Sequence, residues 1–146
     1  MSRRDEVIDQ VGGILLSEGL KFRRTDDDQF GMAFDSALIL IDVLGSDDYP
    51  TVRISCPVLD ELDVAQDEAH IHERLNAINA EYRFVKTYLS DDTIYSHYAI
   101  HGPRVNRDDF ISAFRMLVSF SEEYDDVLQG ELGGKRFVDH MDEDDD

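Results

Sequence analysis

Five histidines, one cysteine and a large surplus of carboxylates are the residues of this sequence that could do chemistry. His70 and His72 form a His-x-His pair, which binds one metal only if both rings point the same way. On a helix, residues i and i+2 diverge by about 200°, so the pair holds a metal only on a strand. His97 and His101 are four apart but straddle a strand end, where that spacing makes no close pair. Cys56 precedes Pro57 and has no CxxC partner or zinc-ligand spacing; it reads as a small buried hydrophobe. Asp26-Asp27-Asp28 and Asp144-Asp145-Asp146 lack the alternation and closing glutamate of a calcium loop, so they read as a solvated turn and a tail. Asp60-Glu61-Leu62-Asp63 has no cleft beside it for paired acid–base work. Gly12-Gly13 and Gly133-Gly134 fit no phosphate-binding loop. No Ser/His/Asp order emerges. The chain therefore reads as a non-enzyme with no metal and no cofactor.

The elements that hold these residues follow from periodicity. Ser2 can cap a helix whose first turn carries Asp5 and Glu6. Val7, Val11, Ile14 and Leu15 recur on one helical face, and Ile8 and Leu16 widen it. The helix should run from Arg3 to Glu18 and stop at Gly19. Its Gly12-Gly13 pair weakens it and lets a neighbour approach closely, or else gives a flexible point for a ligand. A short strand over Lys21–Thr25, a turn at Asp26–Gln29 and a strand with alternating Phe30, Met32 and Phe34 come next. Asp35-Ser36 reads as a tight reversal. Ala37–Leu44 is nearly all apolar and predicts a central strand buried on both faces. Thr51–Cys56 is the next strand, with Val52, Ile54 and Cys56 on one face and Pro57 ending it.

A second helix over Ala65–Ala80 has Ile71, Leu75 and Ile78 on its apolar face. Tyr82–Leu89 and Thr93–Ile100 read as a hairpin turning at Ser90-Asp91-Asp92, and Gly102-Pro103 breaks the pattern. Asn106 caps a third helix with Asp108 and Asp109 in its first turn. Phe110, Phe114, Leu117, Val118, Ser121 and Leu128 form its inward side. The order is helix, three strands, helix, two strands, helix. Clustered strands joined by short loops imply an antiparallel five-stranded sheet flanked by three helices, an α+β fold. Residues 1–128 read as one domain, and 129–146 as a disordered acidic tail unless Phe137 and Val138 dock onto the body.

Charge limits the partners. The chain has 146 residues, 33 acidic and 14 basic, for a formal net charge of −19. The six carboxylates of the last eight residues account for part of it, yet the body stays acidic. Nucleic acid is disfavoured for want of a basic footprint, and so is an anionic membrane surface. The run from Ser36 to Ile41 is far short of the ~20 apolar residues of a membrane helix, and Met1–Glu6 has no signal-peptide core. The protein is expected in the cytoplasm. An acidic surface solubilises, or it steers a basic partner.

This element order resembles the type III secretion chaperone-like fold of the CesT-like and YbjN-like families. The resemblance spans residues 3–128 and rests on the Val7/Val11/Ile14/Leu15 helix, the ALILIDVL strand, the Tyr82–Ile100 hairpin and the Phe110/Phe114 helix. It implies a small, often dimeric protein that holds a peptide segment of a client without chemistry, as a chaperone or adaptor. Two other functions stay open: a regulatory or sensory module with a small ligand under the first helix, and an acidic interaction protein for a basic partner. Candidate groove residues for a peptide are Val7, Ile8, Val11, Phe30, Met32 and Phe34, with Ile8 and Met32 expected to be groove rather than core. The sheet edge near Lys21–Thr25 is a second place for a client, as an added strand. The resemblance also implies a homodimer through the second helix and the hairpin, with Ile71, Leu75, Ile78, Tyr82 and Phe84 as interface candidates.

Overall fold

Three well-capped helices and seven strands make up the computed structural model, which describes residues 2–34, 37–101, 104–136 and 139. The order is α1 (Arg3–Ser17), β1 (Arg23–Arg24), β2 (Phe30–Phe34), β3 (Ala37–Gly45), β4 (Pro50–Asp60), α2 (Val64–Glu81), β5 (Lys86–Ser90), β6 (Thr93–His101), α3 (Arg107–Leu132) and β7 (Lys135–Arg136). The Ser2 hydroxyl accepts from the Asp5 amide at 3.1 Å, and the Asn106 side chain accepts from the Asp108 and Asp109 amides at 2.8 and 3.2 Å. Both caps satisfy first-turn N–H groups that the helix itself leaves open. Gly19 takes φ +71° just past α1, and the Leu20 amide reaches back to the Leu15 carbonyl. That is a glycine-dependent helix stop. Among the described residues no helix is long and apolar enough to cross a membrane.

All the strands pair antiparallel, in the order β1-β2-β3-β4-β6-β5, with β7 on the end of β4. Helices cover one face of this sheet. Phe30 lies against Gly12 of α1, Phe34 packs edge-on to Phe114 of α3 at 5.2 Å, and Thr87 donates to the Leu75 carbonyl of α2. Ile39, Ile41, Ile54, Ile94, Phe110 and Leu117 are wholly enclosed between the layers. Among the described residues the other face has no helix over it, so β3 alternates: Ala37, Ile39, Ile41 and Val43 are buried, while Leu38, Leu40 and Asp42 are half-buried. Double-sided burial of this strand was expected from its composition and is not found. Leucine at 38 and 40 made a one-sided strand look two-sided.

Other expectations shift for equally local reasons. Pro57 does not end its strand: β4 runs on to Asp60 through a register shift between Pro57 and Leu59. A bulge is where a sheet tolerates a residue without an N–H. Of Lys21–Thr25 only Arg23 and Arg24 pair. Tyr82 caps α2 and the fifth strand starts at Lys86. The tail begins later than residue 129, because α3 buries Leu132 and β7 pairs with Leu59 and Asp60. Gly134 permits this return: its φ is +82°, and a Cβ there would stand 2.5 Å from the Asp60 carbonyl oxygen. Asp35-Ser36, Gly102-Pro103, Phe137, Val138 and 140–146 lie outside the described residues.

The two lateral edges of the sheet differ. At β5, the Asn79 side chain of α2 acts as a stand-in strand. Its Nδ2 donates to the Thr87 carbonyl at 3.0 Å and its Oδ1 accepts from the Thr87 amide at 2.7 Å. Lys86 Nζ wraps back onto the Asn79 and Tyr82 carbonyls at the end of α2. At the other edge, β1 pairs β2 only at Gly31 and Phe30, so Met32–Phe34 have a partner strand on the β3 side alone. Replacing Asn79 by alanine should lower stability by about 1–3 kcal/mol, since it leaves the Thr87 backbone groups unpaired. Urea unfolding measures the loss, and amide exchange at Thr87 should quicken with it.

Candidate functional site

The expected groove residues lie in the core. Val7, Ile8, Val11 and Phe30 are at most 1% exposed and Met32 is 5% exposed, while Phe34 is half-buried against the Phe114 ring. α1 lies flat on the sheet, so its buried stripe includes Ile8, and of the two widening residues only Leu16 points outward, at 69% exposure. Ile14 and Phe30 fill the space under α1 where a small ligand was to sit. The interface candidates split. Ile71, Leu75 and Ile78 are buried against the chain's own sheet, Tyr82 is half-buried, and Phe84 is 57% exposed. His70 and His72 are both exposed on α2, with His72 near Glu68 at 3.7 Å. Burial pushes the Cys56 thiol up to about 11, and it is enclosed. That makes it a poor nucleophile. Among the described residues no three His, Cys, Asp or Glu side chains come together as a metal site.

Two concave surfaces bear on peptide binding. The first is a cleft of about 460 Å³ on the helix-free face, at the open edge. Its floor is two cross-strand pairs, Gly31 with Leu40 and Ala33 with Leu38. A glycine and an alanine facing two leucines leave a hollow in the sheet surface. Lys21, Phe22 and Arg23 form the rim. The hollow lies on the Gly31/Ala33 face of the Phe30–Phe34 strand and not on its Phe30/Phe34 face. Of the six expected residues only Met32 also borders the cleft. The period-2 pattern points to it only when the small residues are read as well as the large ones.

The second surface is a groove of about 840 Å³ between α3 and the segment from Tyr82 to Val85. Phe84, stacked on Tyr98 at 5.7 Å, and Met116, 45% exposed, are its outward apolar residues. Tyr82 stands edge-on to Phe120 at 5.2 Å. Arg107 pairs with Glu18 at one end. Arg83 and Arg115 balance Asp108 and Glu123 along it, so the groove is close to neutral.

A polar row crosses the helix-free face between these surfaces. Gln29 donates to Asp42 at 2.9 Å, and Arg53 pairs with Asp42 at 3.3 Å. Tyr88 stacks on Tyr95 at 5.4 Å, and His97 stands edge-on to Tyr88. Burial, then the Arg53 guanidinium, push the His97 imidazole below its ordinary 6.5.

A profile of the family described as T3SS (YopN, CesT) and YbjN peptide-binding chaperone 1 matches residues 5–140. The chain belongs to this family. Its members are peptide-binding chaperones, and a strand edge beside an apolar hollow is a surface able to hold a peptide. No curated protein matches the chain in sequence. Solved structures share the chaperone's fold at low identity. A chain of the ExsC–ExsE complex is 12% identical with a TM-score of 0.69, over 88% of this chain and 97% of that one. YbjN from E. coli, described as a putative transcription regulator, is 19% identical with a TM-score of 0.61, over 82% and 86%. A Yersinia pestis structure of the type III secretion chaperone SycH with a fragment of YscM2 is 10% identical with a TM-score of 0.57, over 80% and 98%.

Two measurements check these placements. Ile8→Ala and Met32→Ala should each lower stability by about 2–5 kcal/mol in urea, as buried large side chains do. A held midpoint would return them to the surface. The unfolded chain protonates His97 at a higher pH than the folded chain does, so His97 removes stability as pH falls through 6.5. His97→Gln should flatten the loss of stability between about pH 7 and pH 5.

Proposed function

We propose that this chaperone works without catalysis, and that it takes an extended client segment as an added strand on the β1–β2 edge, with side chains in the Gly31/Ala33/Leu38/Leu40 hollow. The asymmetry of the edges carries this reading. Asn79 occupies the Thr87 backbone at one edge, and nothing comparable among the described residues occupies Met32–Phe34 at the other. Strand addition draws its affinity from main-chain hydrogen bonds and its selectivity from pockets for alternate side chains.

The proposal includes a homodimer, with Tyr82, Phe84 and Met116 in the contact. Two copies at −19 repel each other over most of their surface, and the near-neutral groove is where apolar contact meets the least repulsion. The free, enclosed thiol of Cys56 suits a reducing compartment, so the chaperone is placed in the cytoplasm.

Client peptide should protect the amides of Met32–Phe34 that point away from β3, read by hydrogen exchange. Gly31→Val fills the hollow with little backbone strain, since a Cβ there meets Leu40 at an ordinary 3.7 Å. This variant should keep its urea midpoint and lose peptide affinity by about tenfold. Protection elsewhere with none at 32–34 would move the site. In light scattering, Phe84→Glu should turn a dimer into a monomer.

A further inference from the structure

We infer that the β1–β2 edge selects client strands in which acidic residues alternate with apolar ones. This rests on the strand-addition reading and adds the chemistry of the client. Lys21 and Arg23 are two residues apart and both border the cleft, with Phe22 between them. Arg23 lies opposite Gly31, on the helix-free face, while Phe22 turns to the helix side and packs edge-on to Phe30 at 5.6 Å. The edge thus presents cation, aromatic, cation in a period of two. A strand added to this edge brings the side chains of its helix-free face to the rim that Lys21 and Arg23 form, so acids on that face, with apolar residues on the other, meet the pattern best.

Local charge favours this client over a basic one. Among the described residues no carboxylate lines the cleft, although the protein has 33 acidic residues against 14 basic. Two acids of the same strands and turn are engaged: Asp28 holds Arg24 at 2.8 Å, and Asp42 holds Arg53 and Gln29. Among the described residues Lys21 and Arg23 make no ion pair or side-chain hydrogen bond, and both are exposed. At physiological salt the screening length is about 8 Å, so contact pairs at the edge outweigh repulsion from the distant acidic body.

The test uses the full chain and three labelled synthetic peptides of about eight residues, a length that suits one strand. The first alternates valine and aspartate, the second replaces aspartate by asparagine, and the third by lysine. Each ends in proline to hinder self-pairing. The aspartate peptide should bind several-fold tighter than the asparagine peptide, and the lysine peptide weakest. The double substitution Lys21→Glu and Arg23→Glu should reduce affinity for the aspartate peptide by about five- to tenfold, raise affinity for the lysine peptide, and leave the urea midpoint in place. Equal binding of the aspartate and asparagine peptides, or tightest binding of the lysine peptide, overturns the inference. Loss of binding in Gly31→Val would then still uphold strand addition. If Gly31→Val leaves all three affinities unchanged, strand addition at this edge fails, and the inference with it.

Discussion

One-sided cover of the sheet is the constraint from which the rest follows. α1, α2 and α3 all lie on the face that carries Phe30, Ile41, Ile54 and Thr87, so a strand such as β3 buries every second residue and presents the others. The polar members of the buried set are few and partnered: Ser96 meets Ser121 at 3.2 Å and the Cys56 carbonyl, and the Thr87 hydroxyl donates to the Leu75 carbonyl and Asn79. The presented set is a compromise. Asp42, Arg53 and Gln29 satisfy one another in its middle, and Leu38 and Leu40 stay half-buried at its β1–β2 end. An antiparallel sheet can carry such a face in water because alternation keeps it mixed rather than uniformly apolar.

That arrangement also decides which backbone groups are left over. A sheet has two lateral edges, and an open edge invites pairing with any extended chain. Here α2 ends where its Asn79 can bond the Thr87 backbone and where Lys86 can satisfy its last carbonyls. The protruding end of β4 is paired by β7. At β2, pairing on the β1 side stops short of the strand's end, as it does on the β5 side of β6 beyond His97. Lysine and arginine on an edge also discourage two copies from pairing there, since like charges would meet across the seam. Lys21 and Arg23 thus oppose self-association through the feature that would favour an acidic strand.

Much of this was legible in the sequence, and the failures share a cause. The caps at Ser2 and Asn106 are local chemistry, and the structure has both. The inward side of α3, from Phe110 to Leu128, follows from the helical period and is buried as read. What periodicity does not give is which apolar residues meet a partner. Ile8 and Leu16 both widen the α1 stripe, yet the sheet beneath covers one and misses the other. Ile71, Leu75 and Ile78 fit a dimer face and an internal face equally well, and a stripe alone does not choose. The run past Pro57 and the return of β7 depend on a bulge and on Gly134 standing over Asp60, which are long-range contacts with no local signal. The hollow escaped for a different reason. It is made by what Gly31 and Ala33 lack, and a search for large apolar residues passes over small ones.

Acidity gains a structural meaning once the surfaces are in place. A net charge of −19 spread evenly would make every face repel an acidic client and attract a basic one. It is not spread evenly. The α3 groove sets Arg83, Arg107 and Arg115 against Glu18, Asp108 and Glu123, and the β1–β2 cleft has two cations and no carboxylate among the described residues. The two concave apolar surfaces are therefore the less acidic ones. Desolvating an unpaired carboxylate against an apolar floor is costly, so a surface meant to be covered keeps few of them. An exposed convex surface has no such penalty and can carry the excess that keeps the chain soluble. The distribution of acids in these two places thus suits surface that can be covered rather than surface that stays wet. The exposed Phe84 and the Gly31 hollow lie in the same two places.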